Sequence, residues 1–340
     1  MNKKLLTVAV AAGVAATSMA AIADVTVYGR VVAELISAEN TSGSSQTELD
    51  DTGMGRWGIK ATESLGNGMT GIAVLEFNTN AADNAAEDNR QQFVGLKGNF
   101  GTFAMGTFNG VYKTTGGASL DPLNATFMEA RNNGGQAAGG MANSSYVSNA
   151  IMWESPTVSG LTAKAMVLDD SASGSGSGTD WQVAVEYKNG PMMAFVAHSE
   201  NASASGQGSA DTSLTKIGGR MSMGQHTFYL QYEDDDGGLN APGSKTDLGG
   251  TGISDATAGD DGDVYFVGWN MKMGKNTIVA QFGESDYDTA GGAGSGSYMA
   301  IAGIHSFSKT MRIYGGWRQT DDDSTSGEID LFGFGIRKDF

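Results

Sequence analysis

The residues best placed to do chemistry are basic. Arg30, Arg56, Lys60, Arg90, Lys216, Arg220, Arg312 and Arg318 each fall on the polar side of a segment whose side chains alternate polar and apolar. Arginine stays protonated at any working pH, so such groups attract, orient and sort ions without a proton switch. Catalytic alternatives are poorly supplied. The three histidines, His198, His226 and His305, stand at no metal-ligand spacing from one another. His305 and Ser306 are adjacent, so in a strand they point to opposite faces and cannot act as a nucleophile and its base. With no cysteine there is no thiolate chemistry. The run Glu233-Asp234-Asp235-Asp236-Gly237 lacks the spaced acids of an EF-hand loop and reads as a solvated loop, loose divalent binding being the alternative. No enzyme activity, cofactor or metal is expected.

The elements that must carry these bases are strands. Val25, Val27, Gly29, Val31, Ala33 and Leu35 oppose Thr26, Tyr28, Arg30, Val32 and Glu34. That is the period of two of a strand with one dry and one wet face. The pattern recurs around residues 181–188, 227–233, 265–272 and 311–318. Each segment runs about ten residues, the length a tilted strand needs to cross hydrocarbon. Tight turns at 188–191, 223–225, 273–276 and 308–309 alternate with long acidic or Gly/Ser tracts at 37–53, 171–179, 200–211, 234–263, 285–297 and 321–327. Short turns at one end and long loops at the other predict an all-β, transmembrane antiparallel barrel of about sixteen strands. A soluble sandwich would put bulkier residues on every dry face; here those faces mix aromatics with Gly and Ala. Closure is required physically, because an open edge in lipid leaves backbone groups unpaired.

Composition is consistent with that reading. Glycine makes up 51 of 340 residues and proline only 4. Lys3 and Lys4, the apolar stretch 5–16 and Ala21-Ile22-Ala23 read as a signal peptide over 1–23, with the barrel domain over 24–340. The formal charge of −17 becomes −19 without Lys3 and Lys4. Such an acidic chain is a poor partner for nucleic acid, whose phosphates demand a basic face.

Several stretches carry a resemblance. Val25-Thr26-Val27-Tyr28-Gly29-Arg30, the block Arg56-Trp57-Gly58-Ile59-Lys60 running on to Leu65-Gly66-Asn67-Gly68, and the hairpin Phe93-Val94-Gly95-Leu96 with Phe100-Gly101-Thr102 occur in that order. Ser155-Pro156 with Ser159-Gly160-Leu161 follows, and the final strand ends in Phe340. Together they resemble the Gram-negative general-diffusion porins of the outer membrane. The resemblance implies a sixteen-stranded barrel, a homotrimer, and a third long loop, here roughly 109–143, folded inward as a constriction. It also implies that Arg30, Arg56 and Arg90, with Lys60 on the same face, look across the pore at loop acids Asp121 and Glu129, with Arg131 close behind. Tyr146 stands where relatives often carry another wall arginine, which tilts the expected selectivity mildly toward cations.

The function implied is passive diffusion of small hydrophilic solutes and ions. Expected partners are outer-membrane lipid and lipopolysaccharide, and the barrel-assembly machinery reading Phe340 as its signal. Tyr28, Trp153, Tyr187, Trp269 and Trp317 are candidates for interfacial girdles. The competing readings are a substrate-specific porin, which would need aromatics along the lumen, and an adhesin or receptor acting through the acidic loops.

Overall fold

The structure is a computed structural model that describes residues 23–40, 45–51, 55–82, 89–131, 136–142, 146–168, 180–202, 208–237, 239, 261–289, 292–322 and 328–340. Residues 1–22 of the expected signal peptide lie outside this set, as do the tracts 171–179 and 240–260.

Alternation produces the wall. Strands β1 (Asp24–Asn40), β2 (Ser45–Asp50), β3 (Gly55–Gly66), β4 (Met69–Thr79), β5 (Asn89–Gly98) and β6 (Gly101–Asn109) lead into the inward loop. After it come β7 (Tyr146–Glu154), β8 (Leu161–Leu168), β9 (Trp181–Asn189), β10 (Met192–Ala202), β11 (Gly208–Met223) and β12 (His226–Asp236). Strands β13 (Asp261–Met273), β14 (Asn276–Thr289), β15 (Gly292–Ser306), β16 (Met311–Asp322) and β17 (Ile329–Asp339) complete the sheet. Every pairing between them is antiparallel, and β1 pairs with β17, so the sheet closes. The last ladder rung is made by Phe340, whose backbone exchanges two 3.0 Å hydrogen bonds with Gly29.

The seventeen segments form sixteen staves. Strands β2 and β3 share one stave, because both pair with the same edge of β1: β2 against Glu34 to Glu39, and β3 against Asp24 to Arg30. Asp50 and Asp51 mark the break between them. Asp51 Oδ2 accepts the Ala81 N–H at 2.7 Å, which ties the break to the end of the next hairpin.

The dry face is the outer face. Val25, Val27, Val94, Leu230, Val267 and Phe334 are each more than half exposed, the reverse of their placement in a water-soluble fold. Such a belt is stable only against hydrocarbon. The wet positions Val32, Glu34, Glu76, Gln182, Glu186, Lys216, Gln231 and Arg318 are buried on the inner side.

Short turns follow their residue types. Gly190, Gly224 and Gly274 adopt φ of 55°, 60° and 61°, a left-handed conformation that a two-residue hairpin requires and glycine adopts without strain. The opposite ends differ from the sequence expectation. Tracts 37–53, 200–211 and 285–297, read as loops, are largely strand: β1 runs to Asn40, β10 to Ala202, and β14 and β15 leave only residues 290–291 between them. Above the membrane both faces are wet, so apolar alternation stops. The backbone ladder needs no apolar face and continues.

An outward charge at mid-wall should be expensive. Leu230→Arg is expected to lower stability by about 2–4 kcal/mol, the range for a midplane cation in a barrel. Urea titration of protein folded into lipid vesicles measures it, with an unchanged midpoint counting against the assigned outer face.

Candidate functional site

Between β6 and β7 the chain turns into the barrel. A single helical turn, α1 (Val111–Thr114), is followed by short 3-10 turns at Gly117–Ser119 and Gln136–Ala138. Apolar side chains seat the loop. Leu120, Leu123, Phe127, Met128, Ala130 and Met141 pack on Phe195, Tyr229, Phe266, Tyr298 and Tyr314 of the inner wall. Inward-facing aromatics are thus plentiful. These five form a bed for the loop.

Directional bonds then fix the loop, since each buried polar group must find a partner. The Tyr112 N–H donates to Gln182 Oε1 at 3.0 Å and the Gly117 N–H to Gln231 Oε1 at 2.7 Å. At the tip, the Phe127 N–H donates to Glu34 Oε1 at 2.9 Å, and Tyr314 Oη donates to the same oxygen at 2.6 Å. Arg318 Nη1 reaches the Phe127 carbonyl at 3.2 Å. On the return, Gln136 Nε2 donates to Glu233 Oε2 at 2.9 Å and Asp235 Oδ2 at 2.8 Å, and the Ala142 N–H also donates to Glu233. Gly139 lies so close to the wall that a Cβ added at Gly283 would sit 1.9 Å from the Gly139 carbonyl oxygen. Only a pair of glycines permits that approach.

Asp121 and Glu129 are built into the loop itself. Asp121 Oδ1 accepts Gln281 Nε2 at 2.6 Å and the Leu123 N–H at 2.7 Å, and Oδ2 accepts the Ala130 N–H at 3.1 Å. Glu129 Oε2 accepts the Ala125 N–H at 2.7 Å, and Oε1 pairs with Arg131 Nη2 at 2.5 Å. Both carboxylates are buried, so neither presents its charge across open lumen to Arg30, Arg56 or Arg90. Their hydrogen-bonding work inside the loop leaves no trace in sequence spacing.

The acid that engages two of the predicted bases is Glu76 on β4. Its carboxylate pairs with Arg90 at 2.7 Å and Arg56 at 3.8 Å, and accepts Tyr28 Oη at 3.1 Å. Tyr28 therefore faces the lumen, not an interfacial girdle. Arg90 lies 5.0 Å from the Tyr146 ring centre, and Lys113 of the loop lies 4.6 Å from the same ring. Tyr146 is also within electrostatic reach of Arg56, Glu76 and Arg131. Arg56, Arg90, Lys113 and Tyr146 thus cluster where the loop meets the wall, with Arg131 buried within electrostatic reach. Arg30 sits beside Arg56 in register and pairs with Asp339 at 3.0 Å. Lys60 is exposed on the inner face of β3, nearer the short-turn end. The arginines and Lys60 were readable from alternation. Glu76 was too, as the polar residue on an alternating strand, but its pairing depends on register.

Comparison with known proteins bears on what this arrangement is. A family model described as Gram-negative porin matches residues 7–325. The chain is 32% identical over 208 residues to the major outer membrane protein P.IB of Neisseria gonorrhoeae, covering 58% of this chain and 56% of that protein. It is 30% identical over 212 residues to the protein of the same name from Neisseria lactamica, covering 58% of each. It therefore spans a little over half the length of the curated relatives it matches. Among solved structures, the anion-selective porin from Comamonas acidovorans aligns with a TM-score of 0.72 at 21% identity, over 94% of this chain and all of that one. The trimer form of OmpT from Vibrio cholerae aligns at 0.67 and 14% identity, over 94% and 99%. At these identities the structural likeness shows the fold alone.

Two expectations test the loop. Glu34→Ala strands the Phe127 N–H and the Tyr314 hydroxyl, at about 1–3 kcal/mol for each buried group left unpaired. Amide exchange at Phe127 should quicken by about tenfold for every 1.4 kcal/mol lost; unchanged exchange would mean that the tip is held elsewhere. Burial, with the Glu129 charge beside it, raises the Asp121 carboxyl to about 6, although hydrogen bonds from Gln281, Leu123 and Ala130 oppose the shift. The docked loop binds this proton more tightly than the free loop, whose carboxyl titrates near its ordinary value of about 4. Docking is therefore firmest in acid and weakens as pH rises from about 4 through about 6. Amide exchange at Ala130, corrected for intrinsic pH dependence, should show this weakening in the wild type and lose it in Asp121→Asn.

Proposed function

The chain belongs to the Gram-negative porin family, outer-membrane β-barrel channels, and on that premise we propose that it passes small hydrophilic solutes and ions by passive diffusion past a charged constriction. The observation that supports this reading is the charged cluster where the docked loop meets the β3–β5 wall: Arg56 and Arg90 pair with Glu76, and Arg90 and Lys113 lie over the Tyr146 ring. Fixed charges in a narrow aqueous path select by electrostatics and hydrated size, with no bond made or broken. The basic group at this cluster comprises Arg56 and Arg90 on the wall, with Lys113 on the loop, and continues to Arg30 and then Lys60 toward the short-turn end. Asp121 and Glu129 contribute to it indirectly, by holding the loop's shape.

The sign of selectivity follows from that balance. Acid-rich loops and Tyr146 in place of an arginine led to the expectation of a mild cation preference. With Asp121 and Glu129 enclosed, Glu76 is the acid at this cluster, and it faces both Arg56 and Arg90. The balance at the constriction is positive, which favours anions there, while the acidic outer rim favours cations at the approach. The narrow section dominates because screening over about 8–10 Å removes distant charges from the path.

Assembly as a homotrimer in lipid and lipopolysaccharide is part of the proposal, as is export by a signal peptide over 1–23. A solved structural neighbour is itself described in a trimer form. Phe340 is proposed as the residue that the barrel-assembly machinery reads; its side chain is exposed while its backbone closes the seam toward the short-turn end.

Purified protein in a planar bilayer is expected to give stepwise conductance, and a flat trace would overturn the channel reading. In a salt gradient, neutralising Arg56 and Arg90 together should leave Glu76 unopposed and move the reversal potential toward the cation's. An unmoved potential would take both arginines out of the constriction.

A further inference from the structure

The arginines of the inner wall do not end with this cluster. On the other side of Arg30, strands β17 and β16 bring Arg337 and Arg312 to the inner face, and register sets them directly opposite each other. Arg30 and Arg56 are likewise direct cross-strand partners. Two like-charged pairs therefore stand on four neighbouring staves. A like-charged pair directly opposite destabilises a sheet, since its Cβ atoms are only about 5 Å apart.

Compensation is incomplete. Asp339 accepts Arg30 at 3.0 Å and Arg337 at 3.0 Å, so one carboxylate serves two guanidiniums. Arg56 shares Glu76 with Arg90. Glu34, further along the inner face of β1, already holds the Phe127 N–H and the Tyr314 hydroxyl. Among the described residues Arg312 has no ion pair, and its Nε is buried without a hydrogen-bond partner. The remaining inner-face neighbours in register, Val32 beside Arg337 and Ser306 beside Arg312, bring no charge. Local rules broken in this way concentrate at functional sites.

We propose that Arg30, Arg312 and Arg337 form a station for a small doubly charged oxyanion of the phosphate class. It lies on the inner wall toward the short-turn end, which is the periplasmic end in a barrel of this kind. Planar guanidiniums match tetrahedral oxyanions with paired N–H donors, and two or three converging forks distinguish a dianion from chloride. Arg30 belongs to both groups: its partner in register is Arg56, and its carboxylate is shared with Arg337. An anion leaving the cluster thus moves onto Arg30 and then to Arg337 and Arg312, in the series of weak sites that conduction requires. This station rests on the channel reading above and adds the class of solute.

The test uses the folded full-length protein in two ways. In planar bilayers bathed in potassium chloride, inorganic phosphate added at constant ionic strength should reduce the chloride current saturably. The double variant Arg312→Gln, Arg337→Gln should raise the half-effect concentration by about tenfold, the size expected for losing charge-assisted forks. Arg312→Lys with Arg337→Lys keeps the charge but not the fork and should fall between. In detergent, phosphate should raise the thermal midpoint of the wild type but not that of Arg312→Gln, because a ligand stabilises the fold it binds. Without phosphate, Arg312→Gln should be at least as stable as wild type, since a like-charge pair is relieved. Identical phosphate titrations in wild type and the double variant would overturn the station while leaving the channel standing. A protein with no conductance would overturn both.

Discussion

Lipid offers a backbone no hydrogen-bond partner, and the rest of the molecule follows from that constraint. A sheet with an unpaired edge would carry a row of naked N–H and C=O groups into hydrocarbon. Here there is no such edge, because β1 pairs with β17 on one side and with β2 and β3 on the other. Once the wall is a closed cylinder, each strand has an outside that must be apolar and an inside that is free to be ionic. The period of two is the imprint of that division. The inner face can then collect charges that a packed core would not tolerate.

A barrel of this girth is too wide for its side chains to fill. The chain deals with the surplus space by sending in its own backbone, and the inward loop is held as a protein core is held. Apolar side chains rest on an aromatic bed, and several backbone and side-chain donors of the loop bond to wall glutamines and carboxylates. Glu34, Gln231, Glu233 and Gln281 face inward, yet they serve the loop and not solvent. Elsewhere the wall charges pair with one another, as Glu76 does with Arg56 and Arg90. Architecture and electrostatics are therefore one decision: where the loop docks, charge is spent on hydrogen bonds, and beside it charge is spent on ion pairs between neighbouring strands.

Much of this was legible in the residues. Val25 through Leu35 declare a strand and its outer face without help, and Arg30, Arg56 and Arg90 declare the inner one. Tight turns at Gly190, Gly224 and Gly274 announce themselves by residue type. Three kinds of fact were hidden. Strand ends beyond the membrane have no dry side, so β14 and β15 looked like a Gly/Ser loop. The shared stave of β2 and β3 is invisible because a break at Asp51 looks like any acidic turn. The duties of Asp121 and Glu129 depend on how a glycine-rich loop folds back on itself, where no periodicity operates. Pairings such as Glu76 with Arg90, or Asp339 with Arg30, require the register of strands far apart in sequence.

The seam has a consequence in time. Arg30 and Asp339 are 309 positions apart, yet they meet across the pair that closes the cylinder. Contacts of such long sequence separation form slowly, because the whole intervening chain must be confined before they reward it. The apolar belt that later rests in hydrocarbon is meanwhile exposed, with open ladder edges beside it, in a state prone to pairing with other chains. Carriage of the unfinished chain to its membrane is therefore as much a requirement of this sequence as its final shape.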